Sequence, residues 1–63
     1  MPFSIFKERV LCLIRREGLT ARFSTDGGKH TAMISDGTII VGNQATPKIA
    51  VKWGDGHMAF SSI

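Results

Sequence analysis

This 63-residue chain contains three Asp-Gly pairs after residue 18, at Asp26-Gly27, Asp36-Gly37 and Asp55-Gly56. Each pair is flanked by residues that are typical of β-strands. Asp-Gly is a strong hairpin signal because both residues tolerate the positive φ that a tight turn requires. The sequence therefore predicts a succession of antiparallel hairpins after residue 18.

Two-residue turns at the first two pairs give registers that agree on one apolar face. The turn at Asp36-Gly37 aligns Ile34 with Ile39, and the turn at Asp26-Gly27 aligns Phe23 with His30. Because side chains alternate along a strand, both registers direct the same set inward. This predicted core face consists of Leu19, Ala21, Phe23, Ala32, Ile34, Ile39 and Val41.

The last hairpin admits two registers. A two-residue turn at Asp55-Gly56 aligns Trp53 with Met58 and directs Phe60 into the core, and we prefer it because it buries more apolar surface. A three-residue Gly54-Asp55-Gly56 loop aligns Trp53 with His57 instead, and it turns Met58 and Phe60 outward.

The segment before the hairpins predicts one amphipathic helix over residues 4–17. Phe6, Val10 and Ile14 recur at helical spacing. Ser4 is the predicted N-cap, and Gly18 is predicted to end the helix in a left-handed conformation.

We therefore expect one α+β domain over residues 1–63, with the N-terminal helix packed on a five-stranded antiparallel meander. This element order resembles the layout of Sm-like small barrels, which form RNA-binding rings. The resemblance implies a sheet that curls into a small SH3- or Sm-like barrel. The chain lacks the glycine-and-apolar spacing and the Asn-bearing segment with which such proteins hold a base.

Composition excludes several classes of protein. The chain is 43% hydrophobic and 21% charged, which is typical of globular domains. Its longest apolar run, Val10 to Ile14, is too short to span a membrane, and charged residues at 7–9 interrupt any signal peptide. A lone cysteine, Cys12, excludes an internal disulfide and fits a reducing compartment. We expect a cytoplasmic protein without a membrane partner.

The sequence predicts no catalytic residue, metal ligand or cofactor, and no small-molecule substrate. Cys12, His30 and His57 are the candidates for a nucleophile and a base, but none belongs to a catalytic or metal-binding motif. A mid-helix cysteine is more often a small buried hydrophobe. We therefore expect that the protein is not an enzyme.

The charges indicate a basic surface, since the formal net charge is +3. The acidic residues fall in the predicted turns and on the helix, so the predicted strands carry cations alone. Such a face could bind RNA or DNA, or it could simply keep a small sheet soluble. All the aromatic side chains can be placed in the predicted core, so no exposed aromatic ring is expected on which bases could stack. The candidate nucleic-acid-binding residues are Arg15, Arg16, Arg22, Lys29 and Lys52.

Apolar residues outside the predicted core indicate a contact surface. Met33 and Ile40 are expected to face outward opposite each other, and Leu11 lies off the main helical stripe. They could be isolated surface hydrophobes or a site for a partner protein or a second copy. We favour a non-enzymatic cytosolic binding protein that self-associates and occupies a surface of a partner protein. Phages and plasmids use small proteins of this kind as inhibitors or adaptors. RNA or DNA binding is the alternative.

Overall fold

The structure, a computed structural model, describes residues 1–61. A helix, α1 (Phe3–Ile14), continues into a 3-10 turn (Arg15–Glu17). The strands that follow are β1 (Ala21–Asp26), β2 (Lys29–Ile34), β3 (Ile39–Asn43), β4 (Ile49–Lys52) and β5 (Met58–Ser61). All neighbouring strands are antiparallel, in the order β1-β2-β3-β4-β5. The expected α+β meander is confirmed.

The sheet is open. Within residues 1–61, β1 pairs only with β2 and β5 pairs only with β4, so both are edge strands. The closure implied by the likeness to Sm-like barrels is therefore not observed.

The helix begins and ends as its flanking residues dictate. Pro2, with a φ of −63°, is the N-cap, and its carbonyl oxygen accepts the amide hydrogen of Phe6 at 3.0 Å. The prediction of Ser4 as N-cap is wrong, because a proline already fixes a φ compatible with the helix two residues earlier. Gly18 has a φ of +65°, which confirms the predicted left-handed end.

The core lies between α1 and the inner face of the sheet, by which we mean the face that α1 covers. The helix contributes the predicted stripe of Phe6, Val10 and Ile14. The sheet contributes aliphatic side chains from three strands: Ala32, Ile34, Ile40, Ile49 and Val51.

The polar side chain of His30 is buried in this core. Its ring lies 5.3 Å from that of Phe3 and 5.4 Å from that of Phe6, measured between centroids. Its Nε2 donates to the carbonyl oxygen of Met1 at 2.9 Å, and its Nδ1 pairs with the hydroxyl of Thr25 at 3.1 Å. Both ring nitrogens are satisfied, as burial of an imidazole requires.

The first hairpin turns one residue later than predicted. Gly27 and Gly28, with φ of +59° and +83°, occupy the two turn positions, and Asp26 pairs with Lys29. The register therefore differs by two residues from the predicted one. Because the side-chain period is also two, Phe23 and Ala32 still share the inner face.

The second hairpin has a three-residue loop, and this corrects one candidate contact residue. The amide of Ile34 donates to the carbonyl oxygen of Thr38 at 2.8 Å, so Ala32 pairs with Ile40. Adding one residue to the predicted turn reverses the faces of β3. Ile40 is 1% exposed and belongs to the core, whereas Ile39 lies on the outer face, which α1 does not cover. The outward assignment of Ile40 is wrong.

The last hairpin repeats this loop. The amide of Trp53 donates to the carbonyl oxygen of His57 at 2.8 Å, and Val51 pairs with Ala59. In both loops the glycine has positive φ and an aspartate Oδ1 accepts the amide two residues on, at 2.9 Å. The preferred two-residue turn at residues 55 and 56 is therefore wrong. The three-residue alternative describes the structure, and it places Met58 and Phe60 outside.

Gly42 allows the helix to approach the sheet. A Cβ at this position would lie 2.9 Å from the Phe6 ring and 3.2 Å from Ile49. Both neighbours are fully buried and cannot move aside, so we expect G42A to lower the free energy of unfolding by about 1–3 kcal/mol. Urea denaturation checks this, with G54A as the control because Gly54 has no close neighbour. Equal stability of the two variants would contradict the close packing of α1 on β3.

Candidate interaction surfaces

The outer face of the sheet carries a continuous apolar group, although no element within residues 1–61 covers it. Met33 pairs with Ile39, and Ala50 pairs with both Val41 and Phe60. Met33, Met58 and Phe60 are 58%, 56% and 73% exposed. We call this set the outer patch: Met33, Ile39, Val41, Ala50, Met58 and Phe60.

Cations lie at the border of the outer patch and within it. Arg22 pairs with Met33 at one margin, and Lys52 pairs with both Ile39 and Met58 and so lies between two members of the patch. Lys29 lies at the other end of β2, opposite Asp26. The expectation of strands without acids fails at this corner, because β1 extends to Asp26.

The remaining candidate residues lie away from the outer patch. Arg15 and Arg16 are exposed on the 3-10 turn that follows α1, and Leu11 is 50% exposed on α1 itself. Because α1 covers the inner face, the sheet separates these residues from Met33. Leu11 therefore does not join Met33 in one surface, and the two arginines do not join the strand cations.

Not all the aromatic residues are buried in the core. Phe3, Phe6 and Phe23 pack against one another with ring centroids 6.3–6.4 Å apart. Phe60 is exposed, and Trp53 is 37% exposed with its ring packed edge-on against His57 at 4.8 Å. The sequence signal for an exposed Phe60 was the alternative three-residue loop at residues 54–56. The criterion of burying the most apolar surface favoured the two-residue turn, which places Phe60 inside.

A second surface lies on the inner face, beside the helix. The backbone of α1 approaches β1, β2 and β3, but not the other two described strands. This leaves a groove of about 300 Å³, which we call the inner groove. Its apolar lining comes from α1 and from four of the strands and their flanking residues: Leu13, Ile14, Leu19, Ile34, Ile40, Val51, Trp53, Ala59 and Phe60. Sequence reasoning missed it, because it follows from where the helix lies on the sheet.

The inner groove has acidic margins in an otherwise basic protein. Among its described lining residues, the charged ones are Glu17 and Asp36. Hydrogen bonds from Thr38 lower the pKa of Asp36, so this carboxylate is ionised at neutral pH. The groove thus combines an apolar floor with negative charge at its rim.

The candidate reactive residues do not converge. Cys12 is exposed on α1, so the expectation that it is buried is wrong. His30 lies in the core and His57 lies beside Trp53. No three His, Cys, Asp or Glu side chains within residues 1–61 are grouped as a metal ion would require. Over the same residues, the helical segments lack the length and apolar character needed to cross a bilayer.

Comparison of the chain with known protein families, with curated proteins and with solved structures finds no match.

Proposed function

We propose that the protein is a small, non-enzymatic cytosolic binding protein that self-associates through its outer patch. The observation that carries the proposal is a set of six apolar residues on the uncovered face of four adjacent strands, of which Met33, Ile39, Met58 and Phe60 are exposed. When one face of an antiparallel sheet packs on the core, the opposite face is normally polar and exposed to water. A contiguous apolar face on such a sheet indicates a protein contact. The cytosolic location is supported by the single cysteine.

A second copy suits this surface because two sheets can pack face to face. Stacked sheets lie about 10 Å apart, with interdigitated side chains, and a two-fold axis allows one patch to serve both partners. The gain is large for a chain of this size, since the core has eight buried apolar residues within the described residues 1–61. Small domains commonly use such association to supplement a limited core. The dimer would then bind a surface of a partner protein, as phage or plasmid inhibitors and adaptors do.

The cations determine how this association responds to salt. Arg22 at the margin of the outer patch and Lys52 within it would approach the like charges of the other copy. Added salt screens this repulsion and leaves the apolar contact intact. Self-association should therefore tighten as ionic strength rises.

Replacement of Met33 and Met58 by threonine tests the dimer. Threonine retains strand propensity but removes most of the apolar area, so we expect the dimer dissociation constant to rise at least about tenfold. Sedimentation equilibrium from micromolar to millimolar concentration measures it. The control is L11T, which removes a leucine of similar exposure on the far side of the sheet. A wild-type chain that stays monomeric throughout, or an equal effect of L11T, would refute the proposal.

Binding of single-stranded nucleic acid is the second candidate, favoured by the position of Phe60 on the same face as Arg22 and Lys52. An exposed aromatic ring among cations can stack on a base while the cations contact phosphates. The outer patch is more apolar than this role needs, so we place it second.

Salt separates the two functions, because phosphate contacts weaken as salt rises whereas the dimer tightens. If nucleic acid binds, each phosphate contact contributes a slope of about −0.7 to log K against log salt for a single strand. Labelled single-stranded DNA and RNA titrated with wild type, R22Q, K52Q and the off-face control R16Q measure this. Smaller slopes for R22Q and K52Q but not R16Q are the result expected of a nucleic-acid surface. An absence of binding at low salt would eliminate this candidate.

A further inference from the structure

One helix is too narrow to cover this sheet. Neighbouring strands lie about 4.8 Å apart, and a helix with its side chains is about 10 Å wide. A single helix therefore covers about two strand spacings, which is the stretch from β1 to β3 that α1 occupies. The backbone of α1 does not extend over β4 and β5, and the inner groove lies on that side of the helix, with the buried Val51 at its floor.

The lining of the inner groove selects the chemistry of its occupant. Val51 and Ala59 form an apolar floor, while Glu17 and Asp36 provide negative charge and Trp53 presents an aromatic ring. An apolar occupant with cationic flanks satisfies all of these, because carboxylates pair with cations and an indole face attracts them. An acidic occupant would be repelled.

We propose that the inner groove binds an amphipathic helix of a partner protein, with its apolar stripe on Val51 and Ala59 and its lysine or arginine residues beside Glu17 and Asp36. Such a helix would lie next to α1, at the 8–10 Å spacing of packed helices, and complete the helical layer on this face of the sheet. Phe60 of the outer patch also lines this groove, whereas Met33 and Met58 do not, so substitutions at the two methionines can test the two surfaces separately.

A helix from a second copy fits the groove less well. The apolar stripe of α1 is already buried in its own core through Phe6, Val10 and Ile14. Its exposed side offers Leu11 as its one large apolar side chain. A groove of about 300 Å³ is also at the small end of ligand pockets, which suits side chains inserted from one face of a helix.

The test uses the full-length protein and two synthetic peptides of about four helical turns. One has a leucine stripe flanked by lysine, and the other has the same stripe flanked by glutamate. Trp53 is the only tryptophan and lines the groove, so its fluorescence reports occupancy. We expect the lysine peptide to shift the emission to the blue, saturably, and the glutamate peptide to bind at least about tenfold more weakly. No shift with the lysine peptide, or equal affinities, would overturn the proposal.

Two sets of variants locate the binding site. E17Q combined with D36N removes the negative charge, while the Asn oxygen still accepts the Thr38 amide, and should weaken the lysine peptide several-fold. A59F fills the groove and should abolish binding, whereas A50F places the same ring on the outer face and should not. Circular dichroism confirms that each variant is folded. If folded A59F binds normally, the groove is not the site.

The M33T/M58T variant separates this proposal from self-association. Neither methionine lines the groove, so this variant should bind the lysine peptide as wild type does, whatever its oligomeric state. Binding that disappears with the dimer would overturn the proposal of an independent site. If A59F alone changes the oligomeric state, a second copy occupies the groove and the proposal of a partner helix is wrong.

Discussion

The alternation of side chains along a strand is the constraint on which both surfaces of this protein depend. One residue more or less in a hairpin loop exchanges the two faces of every strand that follows, until another loop restores them. The loop at residues 35–37 places Ile40 in the core and Ile39 outside. The loop at residues 54–56 does the same for Ala59 and Phe60. The outer patch results from these two loops.

The position of the helix determines the second surface. Phe6 reaches the sheet at Gly42, where the absence of a side chain leaves space for its ring. This contact fixes α1 over the first three strands, where His30 and the Phe3 ring complete the packing. Because the sheet is wider than the helix, the same contact that builds the core also leaves an apolar groove beside it.

The two surfaces differ in charge, although the chain as a whole is basic. Arg22, Lys29 and Lys52 lie at the border of the outer patch or within it on one side of the sheet, whereas Glu17 and Asp36 border the inner groove on the other. Surfaces of opposite character favour different occupants, since like charges repel at close range. This difference in charge distinguishes the two surfaces, although Phe60 belongs to both.

The sequence by itself determined the helix, its buried stripe, the left-handed Gly18, the number of hairpins and the inward side of β1 and β2. These features depend on local periodicity and turn chemistry, which neighbouring residues decide. Tertiary structure decided the loop lengths at Asp36 and Asp55, the burial of Ile40, the exposure of Phe60 and the position of the groove. An Asp-Gly pair is compatible with loops of two or three residues. The packing of α1 against β3 favours the three-residue loop at Asp36, because that loop directs Ile40 into the core. Local sequence does not encode that contact, because its two sides lie more than thirty residues apart, at Phe6 and Gly42.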